Sequence, residues 1–212
     1  MPDRWATFDC YGTLIDWDGG VRRELARIFG DERADERLAR YHEVEPEIQR
    51  AEPSLPYREV LARSLDDLGA SPEERGSLGE SLPTWTPFPE VRAALEEARG
   101  RGWRLAILSN TDRDFIEASK RLLGVPFDAT IVASEIGSYK PAPGHWRAFE
   151  ERAGSPPSVH VGASHFHDVV PATQLGIPTV WINRLGEHGD PAPTRELHDL
   201  APLAETLADL AD

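Results

Sequence analysis

Residues 90–133 read EVRAALEEARGRGWRLAILSNTDRDFIEASKRLLGVPFDATIVA, and the alternation inside this stretch decides the fold. The segment 90–100 has helical periodicity, WRLAIL at 103–108 is a short apolar run that reads as a strand, 112–123 is helical again, and ATIVA at 129–133 is a second strand. The rhythm continues downstream with a helix over 143–153, a strand over 159–161 and a last strand from Thr179 to Ile182. Strands alternating with helices are joined by right-handed crossovers, so the expected architecture is α/β, a doubly wound parallel sheet covered on both faces.

Upstream, Arg4 to Asp9 forms the first strand and runs into Cys10-Tyr11-Gly12-Thr13, where Gly12 marks a tight turn just past the strand end. The next stretch is helical. Val21, Leu25, Ile28 and Phe29 share one face that stops at Gly30, and Tyr57, Val60, Leu61, Leu65 and Leu68 form a second stripe. Ser71-Pro72-Glu73-Glu74 carries the N-cap serine, N1 proline and N3 glutamate of a further helix start. No convincing strand falls between 17 and 83, and the stiff PTWTPFP at 83–89 reads as the return from an inserted lobe. The expected division is an α/β core of residues 1–16 and 84–212 with a helical lobe of residues 17–83. The tail from 185 reads as a proline-containing loop followed by a closing helix.

The chain has 212 residues, which suits one domain with a modest insertion. Its 37 acids against 23 bases give a formal charge of −14, which disfavours nucleic acid and anionic membrane surfaces as partners. An anionic ligand therefore needs a local cationic site. The single cysteine, Cys10, can form no intrachain disulfide, and neither a leader nor a membrane-spanning apolar run is present, so a cytoplasmic protein is expected. Arginine has filled nearly every basic position, leaving Lys120 and Lys140 as the only lysines.

In an open α/β sheet, ligands bind beyond the carboxyl ends of the strands. Asp9 ends the first strand, Ser109-Asn110 the second, Lys140 follows the third, and Asp168 follows the fourth. Two acids, a hydroxyl and one of two lysines would converge. That set suits a carboxylate nucleophile: Asp9 attacks, Ser109 and backbone amides orient the substrate, Lys140 holds charge and Asp168 completes the constellation.

FDCYGTLID (8–16), ILSNTD (107–112), SYKPAP (138–143) and VGASHFHD (161–168) resemble, in order and spacing, the four motifs of the haloacid dehalogenase superfamily. The tyrosine at position 11 and the ending PTVWINR (178–184) look most like its 2-haloacid dehalogenase branch. The resemblance implies a Rossmann-like core with an inserted cap, and catalysis by Asp9, Thr13, Ser109, Lys140 and Asp168. It also implies substrate contacts from Cys10, Tyr11, Asn110, His165 and a cap arginine, for which spacing and the Val44-Glu45 match point to Arg40. Cys10 itself reads as a small buried residue with no partnering base, not as a nucleophile.

Superfamily phosphatases carry a general acid where this chain has Tyr11, and often another acid where it has Ala163. Halide leaves without a proton, and attack on carbon beside a single carboxylate does not require Mg²⁺. The expected reaction is therefore metal-free and cofactor-free hydrolysis of a small anionic 2-haloacid to the 2-hydroxy acid through an aspartyl ester. The alternatives are a Mg²⁺-dependent phosphatase working through an aspartyl phosphate and a non-catalytic anion-binding protein. A histidine, His165, stands where the dehalogenases have an amide, and Trp146 where they have an aromatic tyrosine after Lys-Pro. The lobe lacks lysine, which excludes a lobe Schiff base. The oligomeric state is open, with a homodimer one of the assemblies available.

Overall fold

The computed structural model describes residues 4–210, so the outermost ends of the expected core segments, 1–3 and 211–212, lie outside the described residues. The strands are β1 (Trp5–Phe8), β2 (Arg104–Ser109), β3 (Ala129–Val132), β4 (Val159–Gly162), β5 (Thr179–Ile182) and β6 (Arg195–Leu197). They form one sheet in the order β3-β2-β1-β4-β5-β6, with every neighbouring pair parallel. The chain winds outward from β1 to β3, then returns to β1's other side at β4. That reversal opens a crevice beyond the carboxyl ends of β1 and β4, the place where such sheets bind ligands.

Both faces of the sheet are apolar because strand side chains alternate. On β2, Leu105 and Ile107 enter a core shared with the helical lobe, while Ala106 and Leu108 enter a second cluster with Trp5, Trp146 and Phe149. The crossover helices α5 (Val91–Gly100), α6 (Arg113–Leu123) and α8 (Gly144–Ala153) follow the expected alternation closely. A short helix, α7 (Ala133–Ile136), follows β3, α9 (Val170–Gln174) precedes β5, and α10 (Leu203–Asp209) closes the chain. The tail differs from expectation at β6, whose three residues are too few and too exposed to leave a periodic signal.

Between β1 and α5 lie α1 (Trp17–Phe29), α2 (Asp31–Ala51), α3 (Tyr57–Asp67) and α4 (Ser77–Ser81). Asp16 caps α1 by accepting from the Gly19 amide at 3.0 Å. The expected helix start at Ser71 is only a 3₁₀ turn, Pro72–Glu74, and Ser71 makes no side-chain cap bond there. Polar contacts help fasten the lobe to the core. Asp112, at the start of α6, accepts from the amides of Tyr57 and Arg58 at 2.8 and 2.9 Å, so a core carboxylate caps α3 from outside its own element. Tyr139 Oη donates to the Leu55 carbonyl at 2.6 Å. Among the described residues, no helix is long and apolar enough to cross a membrane.

Candidate active site

Asp9 leaves β1 with its amide still donating to Val161 on β4, at 2.9 Å, so its carboxylate stands at the mouth of the crevice. The chain then turns sharply: Leu14 and Ile15 amides donate to the Cys10 carbonyl, and Gly12 adopts φ +90°, which a side chain would strain. This turn folds Thr13 back on the strand end. Its hydroxyl donates to Asp9 Oδ2 at 2.9 Å and accepts from the Ala163 amide at 2.9 Å, locking the loops after β1 and β4 together.

Lys140 reaches between the two acids. Its Nζ donates to Asp9 Oδ1 at 2.9 Å and to Asp168 Oδ1 at 2.6 Å, with the lysine side chain 1% exposed. Asn110 sets its position by clamping the backbone: Lys140 N donates to Asn110 Oδ1 at 2.7 Å, and Asn110 Nδ2 donates to the Lys140 carbonyl at 3.0 Å. Burial disfavours the ammonium, but the two carboxylates outweigh it and raise the Lys140 pKa, keeping the charge.

Asp168 sits in a wide helical turn, His165–Val169, and folds back over β4. A Cβ at Gly162 would come within 2.5 Å of Asp168 Cβ and Cγ, so glycine is what admits the carboxylate. Besides Lys140, its partners are the Ser164 amide at 3.3 Å and His160 Nε2 at 3.1 Å. His160 Nδ1 in turn meets Thr7 Oγ1 at 2.9 Å, its register neighbour on β1. Burial lowers the His160 pKa, and a neutral ring that donates from Nε2 to Asp168 must accept from the Thr7 hydroxyl at Nδ1.

The two acids thus differ. Burial would raise Asp168, yet Lys140 and His160 overcome it and hold the carboxyl below the usual range. Asp9 is raised, by burial first and by the like charge of Asp168, against the pull of Lys140.

A cavity of about 330 Å³ opens over these groups. Ser109 lies at its floor with a buried, unpartnered Oγ. The Ser109 carbonyl accepts from His145 Nε2 at 3.0 Å, and burial together with the Lys140 charge keeps His145 neutral, its pKa lowered to about 3. Tyr11 lines the cavity, but its hydroxyl is bonded to Ser119 Oγ at 2.9 Å and burial pushes its pKa well up. Ser164 and His167 form another part of the wall, joined by Ser164 Oγ to His167 Nδ1 at 3.1 Å, and burial lowers the His167 pKa to about 4. Among the described residues, no three His, Cys, Asp or Glu side chains gather as a metal site.

Three of the residues expected to touch substrate lie elsewhere. Arg40 is outside the cavity wall, paired with Asp67 and Glu43 at 3.0 Å each. The inward line of α2 is Tyr41, Glu45 and Gln49, four residues apart, and Arg40 is rotated off it by one helical step. The Cys10 side chain is fully buried in the lobe-facing core, with its thiol pKa raised by burial. His165 turns away from the cavity: its Nε2 meets the Pro191 carbonyl at 2.9 Å and its ring packs edge-on against Trp181. Trp146 is core, edge-on to His160.

Other wall residues were not among the expected site residues, although Glu45 lies in the Val44-Glu45 match and Arg184 ends PTVWINR. Trp17, His42, Glu45, Gln49 and Tyr57 come from the lobe, and Arg184 from the loop after β5. The Val44-Glu45 match was the available signal for Glu45, and Gln49 lies one turn further along the helix. A histidine inside the otherwise apolar VHVG was the signal for His160.

The model of the haloacid dehalogenase-like hydrolases matches residues 4–176. A haloacetate dehalogenase H-2 of Moraxella sp. (strain B) is 41% identical over 103 residues, spanning 47% of this chain and 46% of that protein. The chain therefore spans less than half of that relative. An (S)-2-haloacid dehalogenase of Pseudomonas sp. (strain YL) is 31% identical across 84% of this chain and 82% of its own length. A phosphoserine phosphatase of Thermus thermophilus is 32% identical across 72% of this chain and 66% of its own. In structure, the L-2-haloacid dehalogenase of Xanthobacter autotrophicus with chloropropionic acid covalently bound superposes with a TM-score of 0.82 over 97% of this chain and 98% of that one. At 20% identity, that likeness concerns the fold.

Proposed function

The chain belongs to the haloacid dehalogenase-like hydrolases, and from that premise we propose that it hydrolyses small 2-haloacids to 2-hydroxy acids through an ester on Asp9. The observation that carries this reading is the single ammonium of Lys140 shared by Asp9 and Asp168 at the floor of the cavity. A buried carboxylate raised in basicity and held by one cation and one hydroxyl suits a nucleophile.

In the first step an Asp9 oxygen attacks C2 of the substrate, the carbon–halogen bond breaks, and halide departs with the electron pair. Asp9 becomes a neutral ester. Lys140 then faces Asp168 alone, and Asp168 takes a proton from a water that attacks the ester carbonyl. The tetrahedral intermediate collapses to the 2-hydroxy acid and the Asp9 carboxylate, and the proton passes to solvent. Ser109 Oγ, left without a protein partner, is the donor available to the substrate carboxylate. Ser164 and His167, on the cavity wall, are the groups available to position that water.

We take 17–83 as the cap over this site and read the enzyme as cytoplasmic and independent of metal and cofactor. The lone buried cysteine and the Lys140 ammonium already standing between the two acids support that reading.

The second reading, a Mg²⁺-dependent phosphatase, is favoured by the relative of that activity. Against it stands Tyr11, whose bonded, raised hydroxyl cannot serve as the acid an alkoxide leaving group requires. Single-turnover hydrolysis of chloroacetate and 2-chloropropionate in ¹⁸O-water separates the readings. Label should enter Asp9 first and product only on later turnovers, and Asp9→Asn should abolish turnover. Label appearing directly in product, or Mg²⁺-dependent release of p-nitrophenol from its phosphate with inert haloacids, would contradict the dehalogenase.

A further inference from the structure

Resting on the hydrolase reading, we propose that the lobe side of the cavity selects substrates whose far end carries an ammonium or similar N–H donor, recognised by Glu45. Among the described residues the cavity wall has more acids than fixed cations, and each of those cations already pairs with an acid. Lys140 is committed to Asp9 and Asp168. Arg184 Nη2 donates to Glu90 at 2.7 Å and to the Thr13 carbonyl at 3.1 Å, with its guanidinium 3.6 Å from the Phe88 ring centroid. Arg40, the cation expected here, is paired outside the wall. A second anionic group on a substrate would therefore meet the acids Glu45 and Glu187.

Glu45 is 6% exposed and faces the cavity from α2. Its Oε1 accepts from Gln49 Nε2, one turn on. The groups around it are Tyr57 of α3 and His42 and Tyr41 of α2, and His42 is bonded to Asp18 of α1 at 2.9 Å. None supplies a fixed positive charge. Burial accordingly raises the Glu45 pKa to about 7, although Tyr57 and His42 draw it down. A buried carboxyl with no cation is costly, and a substrate ammonium would relieve that cost. The rings of Trp17, His42 and Tyr57 also line the cavity, so the methylenes of an aminoalkyl chain would meet aromatic side chains. At about 330 Å³ the cavity has room beyond a two-carbon haloacid for such a chain.

The test is binding of three chain-matched product analogues to the whole protein by calorimetry at pH 8: 5-amino-2-hydroxypentanoate, 2-hydroxypentanoate and 2-hydroxyglutarate. The amino compound should bind about tenfold tighter than the neutral one, and the dicarboxylate weakest. In Glu45→Gln the amino preference should shrink to within about twofold. The wild-type ranking alone tests the idea if that variant does not fold. Equal affinities, a preference for the dicarboxylate, or an amino preference that survives Glu45→Gln would overturn it. Chloroacetate turnover measured alongside keeps the two readings apart. Its absence with the amino preference intact defeats the dehalogenase chemistry, and its presence without the preference defeats the recognition by Glu45.

Discussion

Asp9 and Asp168 share one ammonium but not one environment. Asp168 also receives hydrogen bonds from His160 and the Ser164 amide, which disperse its charge, whereas among the described residues the Asp9 carboxylate has only Thr13 besides the lysine. The better-solvated anion is the weaker nucleophile, so in the proposed reaction attack falls to Asp9. A pH consequence follows with a definite sign. Asp9 acts as its anion and its pKa is raised above 3.8, so kcat/KM should fall on acidification at a higher pH than an ordinary aspartate would give. Lys140, raised above 10.5, should set no basic limb below that value. Lys140→Met removes the cation between the acids, which should move the acid limb further toward neutrality and cost about 10²-fold or more in kcat/KM. The check is a kcat/KM profile of both proteins, and a wild-type acid limb at or below 3.8 would remove the basis for a raised nucleophile.

The crossover helices and their strands were legible because each has one clear period, and the strand-end residues then followed from topology alone. Helix α2 was not. It carries Pro46 inside and many exposed charges, and two members of its buried line, Glu45 and Gln49, are polar, so apolar periodicity gives no account of why they face inward. Arg40 failed for the same reason, since spacing from a motif does not fix rotation about a helix axis. Asp112 shows a further limit: it stands at the start of α6, yet its carboxylate caps α3 of the lobe. No local signal announces a cap delivered from another element. Helix α3 begins after Pro56 and has no cap of its own, so Asp112→Ala should cost about 1 to 3 kcal/mol by leaving the Tyr57 and Arg58 amides unpaired. Because Tyr57 lines the cavity, KM should rise more than kcat falls. Denaturant unfolding and steady-state kinetics on the same preparation check both effects. Unchanged stability would mean that α3 is held by packing alone.

Across the whole molecule, the lobe and the sheet share one apolar core, running from Leu25 and Tyr41 through Leu14 and Trp85 to Ile107 and Val161. The lobe therefore presents its inner wall to the reacting acids as part of the same packed body. That wall adds acids to a site already carrying two, on a chain of net charge −14. Under the proposed reaction an anionic 2-haloacid approaches against this field, and among the described residues each fixed cation of the wall is already paired with an acid. Raising ionic strength from about 0.01 to 0.15 M shortens the screening length from about 30 to 8 Å, which weakens repulsion along the approach more than the contacts inside. For chloroacetate, kcat/KM should rise several-fold over that range while kcat stays constant, since the effect lies in encounter. For 5-amino-2-chloropentanoate, whose ammonium cancels its carboxylate, the same titration should be flat. Sulfate is the salt to use, because added halide would compete as product. If kcat/KM for chloroacetate instead falls with salt, the approach is cationic and a residue outside the present cavity wall gathers the substrate.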